Sequence, residues 1–257
     1  MKRLANKAAL ITGGGGGIGA ATAELFCAEG AAVTLVDRDA EALARVTATV
    51  LAKNPNAALT TAVANVADAD EAAMVVDHAV RAYGYLHVLV NNAAMRNYAA
   101  LCDASTGEWQ EMLGVNLVGA ASYCKAALPA LRSSGAGSIV NVSSCYAVTG
   151  RKGMGIYDAT KAAMLALTRT LAFEEASHGV RANAICPGST LTDFHIGRAQ
   201  QAGKCLKALA TERQDTSLLR RWATPLEIAL PILWLASDEG SFITGTTLMV
   251  DGGLHAM

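Results

Sequence analysis

No stretch of this 257-residue chain approaches the roughly 18 consecutive apolar residues of a membrane-spanning helix, so no membrane partner is expected. An excess of charge of one sign is missing too. Against 22 Asp+Glu stand 21 Lys+Arg, a formal net charge of −1, which argues against the concentrated basic surface of a nucleic-acid binder. Six cysteines are present (Cys27, Cys102, Cys124, Cys145, Cys186, Cys205), but none belongs to a C-x-x-C pair. Disulfide frameworks belong to short secreted chains and metal sites need clustered ligands, so these thiols read as idle ones in a reducing compartment, and no metal is expected. The opening "MKRLANKAALITGGGG" begins with basic residues, but its apolar part is too short for a signal peptide and runs straight into glycine. The expected location is the cytoplasm. There is no internal repeat and no Pro- or Gly-rich linker between separate cores. With 52% hydrophobic and 17% charged residues, residues 1–257 read as one domain with ample core material.

Apolar, β-branched runs recur along that domain: 8–12, 32–37, 60–66, 88–93, 138–144, 180–188 and 247–253. They are continuous rather than alternating, which suggests strands covered on both faces, as in a parallel sheet. Between them, 18–29, 39–53, 68–83, 107–132, 155–177 and 225–236 carry helical periodicity, several opened by Asp, Ser or Thr and closed by Gly. Alternation of this kind predicts an α/β fold, a doubly wound parallel sheet. Segment 189–223 is polar and lacks a strong strand signal, so it reads as a substrate flap within the domain.

Where glycine is dense, it is placed with purpose. "LITGGGGGIGAATAELF" sets Gly13 to Gly17 and Gly19 between a strand and a helix rather than between two polar linkers. There glycine permits positive φ and close approach of a phosphate, which meets the free N–H groups of the helix start. Two registers fit: Gly14, Gly16 and Gly19 as G-x-G-x-x-G, or Gly13, Gly17 and Gly19 as T-G-x-x-x-G-x-G. Both put a pyrophosphate at the same turn. Asp37 ends the second strand, where a carboxylate accepts from the adenosine ribose hydroxyls of NAD and repels the 2′-phosphate of NADP. The neighbouring Arg38 could pair with that phosphate, but the place just before Gly17 holds Gly16 rather than a base, and NAD is the expected cofactor.

Tyr157 and Lys161 form Y-x-x-x-K, a spacing that puts both side chains on one helix face. Ser144 stands thirteen residues earlier at the C-terminal end of a strand, the edge where open α/β sheets bind ligands. This set, together with "TGGGGGIG", "NNAA" (91–94), Asn116 in "MLGVNLVGA", "NAICPGSTLT" (183–192) and "SFITGTTLMVDGG" (241–253), resembles the short-chain dehydrogenase/reductase family over nearly the whole chain. The resemblance implies a Rossmann fold and an oxidoreductase acting on a small alcohol or ketone, with Ser144, Tyr157, Lys161 and Asn116 as catalytic residues. It also implies cofactor contacts from Gly13, Gly16, Gly17, Ile18, Gly19, Asp37, Arg38, Asn65, Val66, Asn92, Ala93, Pro187, Gly188, Thr190 and Thr192, besides Tyr157 and Lys161. Lys161 would hold the nicotinamide ribose, and Asn116 would carry a water-linked proton relay. Departures are Ala94 and Ala223, where the family usually has Gly, and Asn65, where it has Asp.

Free tyrosine, with a pKa near 10, is a poor base at neutral pH. An ammonium about 5 Å away, in an effective dielectric of about 20, stabilises phenolate by roughly 3 kcal/mol. Tyr157 could then accept the substrate hydroxyl proton while Ser144 holds the oxygen. Arg96, Cys145, Arg151, Met154 and His195 fall in the segments that form substrate walls in the family. The basic ones would suit an anionic substrate such as a hydroxy acid, though each could equally face water. Two rivals stand beside this reading: an NADPH-dependent 3-oxoacyl-[acyl-carrier-protein] reductase, and a silent nucleotide-sensing protein. Long, alanine-rich helices over 107–132 and 155–177 fit the family's habit of forming homotetramers about two-fold axes.

Overall fold

The computed structural model describes residues 2–212 and 215–257. Seven strands form one parallel sheet: β1 (Ala8–Thr12), β2 (Ala32–Asp37), β3 (Leu59–Val63), β4 (Val88–Asn91), β5 (Ser138–Val142), β6 (Arg181–Pro187) and β7 (Thr247–Val250), in the order β3-β2-β1-β4-β5-β6-β7. Among the described residues, nine α-helices connect or flank them: α1 (Gly17–Ala28), α2 (Ala40–Lys53), α3 (Ala69–Tyr83), α4 (Thr106–Leu113), α5 (Gly119–Ser133), α6 (Gly155–Glu175), α7 (Asp193–Gln201), α8 (Leu206–Thr211) and α9 (Pro225–Ala236).

The two-residue period of a strand sorts the core into two layers. Ala9, Ile11, Val33, Leu35, Val88 and Val90 pack with Phe26 of α1, Leu43 of α2 and Ile232 of α9 on one face. Leu10, Val36, Leu89 and Ile139 pack with Val76 of α3, Tyr123 of α5 and Leu171 of α6 on the other. This is the doubly wound, Rossmann-type sheet. The chain walks outward from β1 to β3, then returns to lay β4 on the opposite side of β1. Above the carboxyl ends of β1 and β4 the loops diverge and leave a crevice.

The strand starts agree closely with the sequence reading, but the ends and edges differ. β3 stops at Val63, and it and β7 are edge strands whose residues are half-buried or exposed rather than covered on both faces. The stretch 107–132 is not one regular helix. A π-helical turn, Gly114–Val118, separates α4 from α5. Segment 189–223 holds two short helices, α7 and α8, and no strand among its described residues. The start at "TPLEIA" is well defined: Thr224 and Glu227 form a reciprocal capping box with Pro225 in the first turn. Among the described residues no helix is long and apolar enough to cross a membrane.

Candidate active site

The glycine turn distinguishes the two registers. Gly13 and Gly17 have φ of +67° and +53°, in the left-handed region that disfavours a side chain. A Cβ on Gly13 would lie 2.8 Å from Ala93 Cα, and one on Gly19 would lie 2.1 Å from the Gly13 carbonyl oxygen. A Cβ on Gly16 would meet nothing nearer than Asp193 Oδ2 at 3.8 Å. The backbone thus needs glycine at 13, 17 and 19, the T-G-x-x-x-G-x-G register.

Thr12 and Asn92 tie this turn to β4. Thr12 Oγ1 accepts from the N–H groups of Asn92 and Ala93, both at 3.1 Å. Asn92 Nδ2 donates to the carbonyls of Thr12 and Gly13, both at 3.0 Å. Asp37 at the end of β2 braces the turn as well, accepting from Gly15 N at 3.0 Å through Oδ2 and from Asp39 N at 3.1 Å through Oδ1.

The cleft that begins here is one cavity of about 670 Å³. Gly13, Gly16, Gly17, Ile18, Asp37, Arg38, Asn92 and Ala93 line one end; Ser144, Tyr157, Lys161, Pro187, Gly188, Thr190 and Thr192 line the rest. A side cavity of about 110 Å³ runs beneath Asp37 and Arg38 to Asn65 and Val66. A backbone cradle that a Cβ would fill, a carboxylate at the end of β2 and a long cleft fit an extended dinucleotide. Asn65 at the margin of that side cavity accepts from Ala67 N at 3.1 Å through Oδ1.

Ser144, Tyr157 and Lys161 converge through the junction of β5 and α6. Ser143, one residue past the last strand position, donates from Oγ to the Lys161 carbonyl at 2.7 Å and so pins the helix to the strand end. Ser144 Oγ accepts from Tyr146 N at 3.2 Å and faces the cleft. Tyr157 packs its ring among Met112, Met154 and Ile156 while lining the cavity. Lys161 is 1% exposed; its Nζ donates to the Val142 carbonyl at 2.8 Å and lies 5.8 Å from the Tyr157 ring centroid.

Burial, with the nearby Arg96 charge second, pushes the Lys161 ammonium down to about 7. The cation expected to favour phenolate therefore holds its own proton weakly. An unfolded chain keeps that proton up to the ordinary lysine value of 10.5, so between pH 7 and 10.5 the unfolded state binds more protons and stability should rise with pH. The full span is worth on the order of 5 kcal/mol. Thermal unfolding followed across pH 7 to 10 should rise more steeply for the wild type than for Lys161→Met; parallel slopes would contradict the depressed ammonium.

Asn116 sits in the π-helical turn, a geometry frequent at functional sites. Its side chain works as a clamp. Oδ1 accepts from Met95 N at 2.8 Å, and Nδ2 donates to Met95 O and Thr160 Oγ1, each at 3.1 Å. Both amide hydrogens are thus engaged in holding the loop after β4 against α6.

Of the five substrate-wall candidates, three reach the cleft: Arg96, Arg151 and His195. Cys145 and Met154 do not line it. Cys145 is fully buried, with its thiol pushed up to about 12 by burial, and Met154 packs behind Tyr157. Adjacency in sequence to Ser144 and Tyr157 suggested them, but alternate side chains there turn into the core. Three aromatic cleft residues escaped the sequence reading: Tyr98, Tyr146 and Phe194. Their signal was an arginine nearby in the chain or across the cleft: Arg151 stacks 3.6 Å from the Tyr146 ring and Arg198 4.0 Å from that of Tyr98. Among the described residues no cluster of His, Cys, Asp and Glu could hold a metal ion.

A parallel sheet of this order with a glycine turn at its switch point is the architecture of dinucleotide-binding proteins. Comparison with known proteins narrows the class. A family model described as enoyl-(acyl carrier protein) reductase matches residues 13–255. The 3-oxoacyl-[acyl-carrier-protein] reductase FabG of Thermotoga maritima is 36% identical, with 98% of this chain and 99% of that protein covered. A 2-(S)-hydroxypropyl-CoM dehydrogenase of Xanthobacter autotrophicus is 35% identical, with 99% of each covered. The crystal structure of L-sorbose reductase from Gluconobacter frateurii, complexed with NADPH and L-sorbose, matches with a TM-score of 0.94 over 100% of both chains at 29% identity. The chain belongs to the short-chain dehydrogenase/reductase family. It is accordingly an oxidoreductase acting on CH–OH groups, from a family that uses NAD or NADP.

Proposed function

We propose that this protein interconverts a secondary alcohol and a ketone with NAD, using Tyr157 as general acid and base. One observation carries the reading: Tyr157, Ser144 and Lys161 open onto the same cleft as the glycine turn and Asp37. Bound there, the dinucleotide would supply the hydride acceptor or donor. The N–H groups of the turn at Gly13 to Gly19 would hold its phosphates, and Asp37 would accept from the adenosine ribose. Ser144 Oγ holds the substrate oxygen, and Tyr157 Oη takes its proton in oxidation and returns it in reduction. A protonated Lys161 beside the phenol would stabilise the negative charge that develops there. Segment 189–223 acts as the flap over the substrate, with Thr192 packed 3.1 Å from where a Gly17 side chain would begin.

The test is direct. With a panel of secondary alcohols, the protein should generate reduced cofactor absorbance with NAD and bind NAD about tenfold or more tighter than NADP, because Asp37 repels a 2′-phosphate. Silence across the panel without nucleotide binding would overturn the reading. NADPH preference would favour the second reading, a 3-oxoacyl-[acyl-carrier-protein] reductase, for which the exposed Arg38 beside Asp37 is the supporting observation. Meeting of the whole Ser–Tyr–Lys set in the cleft disfavours a silent nucleotide sensor. Exposed apolar side chains, Val118 in the π-helical turn before α5 and Phe173 on α6, support assembly into a homotetramer, and the free cysteines suit the cytoplasm.

A further inference from the structure

Charges in the substrate end of the cleft are unevenly paired. Arg151 is neutralised: its Nη2 lies 2.9 Å and its Nε 3.2 Å from Asp158 Oδ1, and its plane stacks on Tyr146. Lys161 is engaged by the Val142 carbonyl. Asp193, the one acid lining that end among the described residues, faces the glycine turn.

Arg96 is placed differently. Its guanidinium carbon is 5.1 Å from the Tyr157 ring centroid and 5.8 Å from that of Phe194, and no carboxylate among the described residues lies within 4.0 Å. His195 Nε2 lies 3.3 Å from Arg96 Nη1, and the Tyr157 and Tyr98 phenols also hydrogen-bond the guanidinium. His195 Nδ1 is 3.0 Å from Thr192 Oγ1. Across the cleft Arg198 stacks on Tyr98, also with no carboxylate within 4.0 Å among the described residues.

Arg96 therefore has no carboxylate partner among the described residues while it lies close enough to the buried Lys161 to repel it. An anion in the cleft would give Arg96 charge-assisted hydrogen bonds and relieve that repulsion. We propose that Arg96, with Arg198 on the facing wall, receives a carboxylate of the substrate, so that this enzyme acts on short hydroxy acids and their keto forms in preference to neutral alcohols. The inference rests on the oxidoreductase reading above. A planar guanidinium fork matches the two oxygens of a carboxylate, and its closeness to Tyr157 leaves only a few bonds between carboxylate and carbinol carbon. In the oxidation, the carbinol O–H proton passes to Tyr157, the carbinol hydrogen leaves with its electron pair for the bound dinucleotide, and a C=O bond forms. The carboxylate is unchanged.

The experiment compares 3-hydroxybutyrate, its methyl ester and a hydroxyalkyl phosphate of similar length. Wild type should favour the acid over the ester by about 100-fold in kcat/KM, chiefly through KM. In Arg96→Met that ratio should collapse toward one, with Arg96→Lys intermediate. No preference in wild type, or equal losses on acid and ester in Arg96→Met, would overturn the proposal; so would preference for the phosphate. A turnover-free arm titrates acetoacetate into the Tyr157→Phe protein with NADH by calorimetry, where binding should weaken steeply with added NaCl. Binding there without turnover of any alcohol by wild type would sink the oxidoreductase reading alone. Turnover of neutral alcohols without acid preference would sink this proposal alone.

Discussion

Phenylalanine at position 157 is expected to lower turnover by about a thousandfold or more while leaving dinucleotide affinity within about twofold. The substitution is close to a single-atom deletion. The ring packs among Met112, Met154 and Ile156, contacts that phenylalanine keeps. The bond from Thr160 Oγ1 goes to the Tyr157 main-chain carbonyl, so the start of α6 does not depend on the phenol. What disappears is the hydroxyl that faces the cleft beside Lys161 and Arg96. Nothing else there replaces it: Ser144 Oγ is too weak a base, and Lys161 Nζ is directed to the Val142 carbonyl. Steady-state oxidation and a fluorescence titration with NADH measure the two quantities. A variant that turns over at the wild-type rate would remove Tyr157 from the mechanism, whereas joint loss of turnover and binding would mean the ring is structural.

The contrast between Tyr157 and its neighbours marks how far the sequence could be read. Long-range order was legible because it rests on periodicity: continuous apolar runs 8–12 and 32–37 could only be buried strands, and they are β1 and β2 at those bounds. Edge positions were not, since nothing local in "LTTAV" tells that no further strand covers it. The break at Gly114–Val118 was not read from the sequence, although Gly, Val and Asn there are weaker helix formers than the Glu, Gln, Met and Leu before it; Asn116 in that turn clamps Met95 and Thr160, a contact between segments far apart in the chain. Candidate site residues divided the same way. Those on motifs at strand ends arrive in the cleft because topology delivers them there. Cys145 and Met154 were carried along by adjacency and turn inward. Pairing of Arg151 with Asp158 and the lack of a carboxylate partner for Arg96 depend on rotamers and on α7 closing across the cleft. Neither is a property of a short window of sequence.

Alanine at position 19 should weaken nucleotide binding by about 100-fold or more, and alanine at position 16 should leave it within a few-fold; the pair gives the sharpest test of the turn. Gly13 to Gly17 and Gly19 look interchangeable, yet their surroundings differ. Residue 19 lies in the first turn of α1, where the helix start runs against the strand exit. Its Cβ would sit 2.1 Å from the Gly13 carbonyl oxygen and 2.7 Å from Asn92 Nδ2. No rotamer relieves a Cβ contact, so either α1 retreats or the turn opens. Either movement breaks the bonds from Asn92 to Thr12 and Gly13, which align the N–H groups for a phosphate. Residue 16 has φ of 176°, an extended conformation open to any residue, and free space beside its Cβ. Overpacking of the first kind costs about 1–3 kcal/mol in ordinary cores, and backbone against backbone lies at the upper end. Affinity for NADH should therefore fall by about 100-fold or more in Gly19→Ala, with thermal stability reduced as well. Comparable affinities in the two variants would mean that the turn relaxes around a methyl group, and that the T-G-x-x-x-G-x-G register is not what the phosphate site requires.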